Sequence, residues 1–367
     1  MTSLLSFPVF MALSFIAIQC TQGWNQLGPY DTLTSTLLES YNNHNPPSYS
    51  QPTKVEIAII LQSITKLDEF EGTFSAVAWQ KLLWKDDRLS WNKSEYDGIK
   101  AIRVPAWQIW KPDIILYNSV EERKILSEVQ AVVYSDGTLY HIIPISIKSS
   151  CKMDLSKYPY DVQNCTLIWG AWMQDNSRIS LSTSATNLDL EDFTPNPIWE
   201  IVDTTLAKNI KKYDCCPETY EDIAVSIILR RKQPDSLIAS AVIATWMIVV
   251  VFVISPPSSG ERIIFAGFIF VSLIILSAWL SATVPSYTST NLGRFLVFGM
   301  LMTAMITVLL AVCHGLYPRQ DGEKDSETTA KDILNERRRR YFRLFDAGAM
   351  IFIVVLLSVM TGALFAS

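Results

Sequence analysis

The stretch CKMDLSKYPYDVQNC, residues 151–165, opens and closes on a cysteine and has an aromatic-Pro-aromatic-Asp centre at Tyr158-Pro159-Tyr160-Asp161. A disulfide between its ends would stabilise the fold by about 3 kcal/mol in the chain-entropy description. Tyr158-Pro159 is a candidate cis peptide, because the tertiary amide weakens the trans preference. Whether the two thiols pair depends on the compartment, and the chain on either side speaks to that.

Upstream, SLLSFPVFMALSFIAIQCTQG, residues 3–23, is an apolar run that ends in small and polar residues, with no Lys or Arg before it. It reads as a secretory signal peptide over residues 1–23, with a first membrane anchor as the alternative. Cleavage would remove Cys20 and leave Cys151, Cys165, Cys215, Cys216 and Cys313. In an exported chain the first four can pair.

Downstream the composition changes. No charged residue lies between Asp235 and Glu261, between Arg262 and Arg294, between Arg294 and Arg319, or after Asp346. Each interval is long enough to cross a hydrocarbon layer of about 30 Å as a helix. Buried helices of a soluble core would leave too little polar surface to cover four such runs. The expected organisation is an extracellular segment at 24–233, three transmembrane helices within 234–316, a short cytoplasmic linker at 317–343 and a fourth transmembrane helix at 344–367. The linker carries Arg319, Lys324, Lys331, Arg337, Arg338, Arg339, Arg340 and Arg343, as the positive-inside rule requires. Its 329–343 part reads as a helix whose basic end meets anionic lipid, lines the cytoplasmic exit or merely anchors the topology. The outer cluster Arg230, Arg231, Lys232 is an exception to the rule.

The 367 residues are 49% hydrophobic and 18% charged, with a net charge of -5, too apolar for an ordinary soluble protein and without the basic excess of a nucleic-acid binder. The segment at 24–233 is rich in strand candidates: KVEIAIILQSI, FSAVAWQKLLW, AVVYSDGTLYHIIPISI, NCTLIWGAW and IAVSIILRR. One helix is expected near Tyr30–Tyr41. The economical fold is an all-β extracellular sandwich followed by a bundle of four transmembrane helices. His44 and His141 are isolated, and no nucleophile motif, phosphate loop or zinc spacing occurs, so neither an enzyme nor a cofactor or metal is expected. Asn92-Lys-Ser and Asn164-Cys-Thr are candidate glycosylation sequons.

The chain resembles the pentameric Cys-loop ligand-gated ion channels. The resemblance rests on the exported β-rich segment, the 151–165 loop and the four spans. Trp91-Asn92, Ile109-Trp110-Lys111-Pro112-Asp113, Leu116-Tyr117-Asn118 and the pair Cys215-Cys216 resemble the nicotinic acetylcholine receptor branch. It implies a Cys151–Cys165 disulfide and a vicinal Cys215–Cys216 disulfide at the tip of a hairpin that closes over an agonist. Tyr117, Trp172, Tyr213 and Tyr220 would form an aromatic box for a small amine or quaternary ammonium ligand, whose charge the negative ring faces attract. Trp84, Val132, Tyr140 and Ile142 would supply the complementary face to a neighbouring, identical or related subunit, so that one chain carries both halves and can close into a homopentamer. The implied activity is a cation channel opened by acetylcholine or a related amine. The alternatives are an amine-binding receptor that conducts poorly, or one gated by a different small ligand.

Two departures bear on mechanism. Many nicotinic subunits have a lysine three residues after the second loop cysteine, where this chain has Ile168, so Asp222 would lose its partner. The second departure is in the pore. Glu261 next to Arg262 resembles the charge ring of cation-selective relatives, unless it merely pairs with Arg262. Residues sharing its helical face are Ile264, Phe268, Val271, Ile275, Trp279 and Ala282, none of them polar. A rotated helix would instead expose Ser272 or Ser277.

Overall fold

The computed structural model describes residues 28–214, 216–232, 235–254, 260–317 and 329–365. The expected signal peptide, Cys215 and linker residues 318–328 lie outside the described residues.

The described chain starts with a helix, α1 (Pro29–Glu39), which has Pro in its first turn, where a missing N–H breaks no helical bond, and which buries Leu33. Strands β1 (Thr53–Asp68), β2 (Thr73–Lys85), β3 (Ala101–Pro105), β4 (Ile114–Leu116), β5 (Lys124–Ile125) and β6 (Gln130–Tyr134) follow. After them come β7 (Thr138–Ser150), β8 (Val162–Ala171), β9 (Ile179–Ser182), β10 (Trp199–Lys212) and β11 (Thr219–Arg231). The larger sheet has the order β3-β6-β7-β2-β1-β9, with β5 also paired to β7. The smaller sheet has the order β10-β11-β8-β4.

Alternation drives the layering. Val55, Ile57, Ile59 and Leu61 of β1, Cys165, Leu167 and Trp169 of β8, and Ile223, Val225, Ile227 and Leu229 of β11 are all buried in one core. Side chains two apart share a face, so each strand supplies one inward row, and each buried Ile or Leu contributes about 1.5–3 kcal/mol. The expected hairpin turn is present between β6 and β7. Gly137 there has φ of 81°, and a Cβ at that position would sit 2.6 Å from the Asp86 carbonyl oxygen, so only glycine fits.

Cys151, directly after β7, is bonded to Cys165 in β8. The bond therefore joins the larger sheet to the smaller one, and its loop reaches away from the sandwich. That loop contains a cis Tyr158-Pro159 bond. Its backbone accepts from the first residues of a helix: Asn291 N–H bonds the Ser156 carbonyl at 3.0 Å and Leu292 N–H the Tyr158 carbonyl at 3.4 Å.

The helices are α2 (Asp235–Ile254), α3 (Glu261–Thr283), α4 (Asn291–Leu316) and α5 (Thr329–Phe365). Three stretches, Glu261–Thr283, Asn291–Leu316 and Ile333–Phe365, are long and apolar enough to cross a membrane; α2 carries a shorter apolar stretch, Leu237–Val253. The basic helix expected at 329–343 and the last apolar run form one continuous helix. No Pro or Gly interrupts the backbone between 329 and 347, so nothing breaks the hydrogen-bond ladder there. The helices share a second core with Tyr158 of the disulfide loop, and the Tyr160 and Phe365 rings stand 6.4 Å apart.

Candidate functional site

Tyr117 follows β4, and its N–H bonds the Ile168 carbonyl of β8 at 2.8 Å. Its ring lies across Gly170, where any side chain would run into it, and its hydroxyl donates to the Ala171 carbonyl at 2.5 Å. Trp172 directly follows β8 and meets Tyr117 edge to face, with ring centroids 6.2 Å apart. Asp113 fixes the turn that presents it. The Asp113 carbonyl accepts from Trp172 N–H at 3.2 Å, and its Oδ2 accepts from Met173 N–H at 2.7 Å. Trp172 is 62% exposed, which leaves an open ring face.

The β10–β11 hairpin supplies the other pair. Tyr213 and Tyr220 are edge to face at 5.7 Å. The Tyr117 hydroxyl is pushed up to about 12, by burial first and then by Tyr213, Asp222, Asp113 and Tyr220 around it. It is therefore a neutral donor at neutral pH. Register brings the hairpin pair alongside: Asp222 stands opposite Gly170, which lies under the Tyr117 ring, and Tyr220 is two residues from Asp222 towards the level of Trp172. Cys216 is disulfide-bonded. Cys215, the partner the resemblance gives it, lies outside the described residues.

Asp222 has a lysine after all. Its buried carboxylate accepts from Asn209 Nδ2 at 2.8 Å and lies 2.7 Å from Lys211 Nζ, both on β10. The replacement comes from the same hairpin rather than from β8. There Ile168 offers no side-chain charge, and its backbone N–H bonds Asn118 Oδ1 at 3.1 Å.

On the opposite face of the sandwich, Val132 of β6 pairs with Tyr140 of β7, and Ile142 pairs with Lys81 of β2. Lys81 Nζ stands 5.4 Å from the Tyr140 ring centre. Trp84 does not join them. It is 2% exposed and packs edge-on against Trp110 at 6.3 Å, on the inner side of β2. Trp79, five residues earlier, is 36% exposed and pairs with Pro144, two places along β7 from Ile142. Five is an odd separation, so the two tryptophans point to opposite sides of the sheet. The signal was present in the sequence: Trp79 shares the parity of Lys81, and Trp84 that of Leu82.

In α3, Arg262, Ala266, Ile269, Leu273, Ser277 and Leu280 are buried against the other helices. Ile264, Phe268, Val271, Ile275 and Trp279 are exposed on the other side, with Phe268 at 68%. Ser277 is turned inward and bonds the Tyr287 hydroxyl at 2.9 Å. Ser272 is exposed, but its hydroxyl donates to the Phe268 carbonyl at 2.8 Å. Glu261 is exposed at the start of the helix, while Arg262 pairs with Asp346 of α5 at 2.7 Å. Asn92 and Asn164 are both exposed.

Comparison with known proteins agrees with this architecture. The family of neurotransmitter-gated ion-channel ligand binding domains matches residues 30–233. The neuronal acetylcholine receptor subunit alpha-6 of Rattus norvegicus is 34% identical over 77% of this chain and 60% of its own length. The alpha-3 subunit of Carassius auratus is 32% identical over 77% of this chain and 57% of its own length. An alpha-type acetylcholine receptor subunit of Caenorhabditis briggsae is 31% identical over 82% and 62%. The chain thus spans about three fifths of the length of these relatives. The family is one of channel domains and not of enzymes. With its two-sheet sandwich, its sheet-joining disulfide loop and the apolar helices below, this chain belongs to the neurotransmitter-gated ion-channel ligand-binding domain family, as a nicotinic-like Cys-loop receptor subunit.

Proposed function

We propose that the chain is a subunit of a plasma-membrane cation channel opened by acetylcholine or a related amine, working as a pentamer of identical or related subunits. The observation that carries this reading is the β8–β11 register, which sets the Tyr213–Tyr220 pair alongside the Tyr117–Trp172 pair and its exposed indole face. A desolvated ammonium gains on the order of 2 kcal/mol from a good ring contact. The disulfide-bonded Cys216, between β10 and β11, shapes the closure of the hairpin. The facing subunit supplies Val132, Tyr140 and Ile142, with Trp79 in the place first given to Trp84. Relatives named as acetylcholine receptor subunits support the choice of ligand. Glu261 forms a carboxylate ring at the inner mouth, which attracts cations and repels anions.

A second reading is favoured by the exposed face of α3. Five copies of Phe268 and its aliphatic neighbours would line a dry constriction, and such constrictions gate by dewetting. In that reading the receptor binds amines and conducts little. Expression of this chain alone, with radioligand binding and current recording on the same membranes, tests both. Saturable displacement of a labelled quaternary amine that Trp172→Ala abolishes supports the site, and its absence in the wild type overturns it. The size of the agonist current separates the two readings.

A further inference from the structure

A cavity of about 110 Å³ lies on the side of β2 and β7 that faces away from Trp79 and Tyr140, and shares no residue with the aromatic cluster. Gln80 of β2, His141 of β7 and Arg123 just before β5 line it, with the exposed side chains of Lys111 and Glu128 at its edge. Three polar groups in it lack what burial demands. Gln80 Nε2 and His141 Nδ1 are buried without a hydrogen-bond partner. Each such orphan costs about 1–3 kcal/mol, so two lining one cavity need an explanation. The half-buried Arg123 guanidinium bonds Gln80 Oε1 at 2.6 Å and the Ile114 carbonyl at 3.4 Å. No carboxylate lies within ion-pair distance of it among the described residues. Burial accordingly holds its pKa down, with no opposing charge to restore it.

A water molecule would satisfy Gln80 and His141 and leave the guanidinium without a counter-charge. An anion with two oxygens does more, since the planar fork of Arg matches a carboxylate. His141 adds a further requirement. Its pKa is pushed down to about 4, by burial first and then by Lys111, against a bond to the Val129 backbone. The ring is neutral at neutral pH, and its unpartnered Nδ1 is an acceptor that needs a hydroxyl or N–H. The cavity holds an acid of about two or three carbons, as one water occupies about 30 Å³ of liquid.

We propose that this cavity is a second ligand site for a small hydroxycarboxylate, the carboxylate held by Arg123 and Gln80 Nε2 and the hydroxyl donated to His141 Nδ1. The site stands independently of the amine reading. Its test is a saturation-transfer NMR titration of glycolate, and of acetate for comparison, into the full purified chain in detergent. Glycolate is expected to bind saturably and more tightly than acetate, and Arg123→Gln to weaken it at least tenfold. Gln80→Glu keeps the shape of the side chain while giving Arg123 an internal carboxylate, and is expected to abolish glycolate binding without lowering the thermal midpoint. Absence of saturable glycolate binding in the wild type overturns the site, as does equal affinity in Arg123→Gln. Acetate binding as tightly as glycolate overturns the role given to His141.

Discussion

Arg231, at the end of β11, and Asp161, in the disulfide loop, form a two-pronged buried ion pair: Nε donates to Oδ1 at 2.7 Å and Nη2 to Oδ2 at 3.1 Å. Nη2 also reaches Glu69 Oε1 at 2.8 Å, at the turn between β1 and β2. The guanidinium lies 4.3 Å from the Trp199 ring centre and 4.9 Å from that of Tyr158. Burial works to lower its pKa, but Asp161 and Glu69 outweigh burial and raise it, so the charge persists. One cation thus joins the smaller sheet, the larger sheet and the loop that rests on α4. This partnership accounts for Arg231, one of the three basic residues that break the positive-inside pattern.

Arg231→Gln should leave Asp161 buried without its counter-charge and destabilise the fold by about 3–5 kcal/mol. The thermal midpoint of the purified protein and the amount of surface pentamer measure this. Arg231→Lys should recover part of the loss, because one ammonium keeps the charge but not the fork.

Trp172→Ala should weaken binding of a labelled quaternary amine by about 2 kcal/mol or more, some thirtyfold, while assembly is kept. Trp172→Phe should lose less. A binding isotherm that Trp172→Ala leaves in place would remove the aromatic box.

Lys211→Met should leave the buried Asp222 with Asn209 as its remaining side-chain partner on β10. The expected result is a severalfold loss of agonist affinity together with a lowered thermal midpoint, since the carboxylate loses its charged partner while it stays buried. Restoring a lysine on β8, Ile168→Lys in the Lys211→Met background, should recover affinity; no recovery would mean that the position of Lys211 matters as well as its charge.

His141 is buried, and its pKa is about 4 in the folded chain against an ordinary histidine value of 6.5. Between these values the unfolded chain binds more protons than the folded one, so stability rises with pH across that window and is lost as pH falls through it. The difference is worth about 3 kcal/mol at most. His141→Gln should flatten the fall in thermal midpoint between pH 6.5 and 4, relative to wild type.

Phe268→Thr should raise cation conductance or spontaneous opening, by placing five hydroxyls where a dry ring stood. Glu261→Ala should reduce the preference for cations, read from reversal potentials in asymmetric salt. Large wild-type currents that Phe268→Thr leaves unchanged would show that this face of α3 does not line the narrow pore.

Most of the sandwich was legible because its inner strands alternate strongly: Ile223, Val225, Ile227 and Leu229 announce β11. Strand β10 was not, because as an outer strand of the smaller sheet it buries only Trp199 and Thr204, and its other apolar residues do not alternate with its Glu, Asp, Thr, Lys and Asn. The aromatic cluster was legible through the Cys-Cys pair and the Leu116-Tyr117-Asn118 motif. Trp84 was misplaced because a motif fixes the neighbourhood of a residue and parity fixes its side of the sheet. The Lys211–Asp222 partnership is not legible, because it depends on register between two strands, which the sequence does not state. The cavity beside Gln80 left no local signal, for its three polar groups come from separate segments.

The continuity of α5 has a mechanical consequence. At 37 residues and about 1.5 Å per residue it is a rod of about 55 Å, against a hydrocarbon layer of about 30 Å. Its Phe365 end touches the disulfide loop through Tyr160, and its other half carries Arg337 to Arg340. Continuous from end to end, the helix carries a tilt along its length. A tilt imposed where the loop presses on one tip sweeps the arginines sideways at the other, and anything that grips the arginines returns torque to the loop.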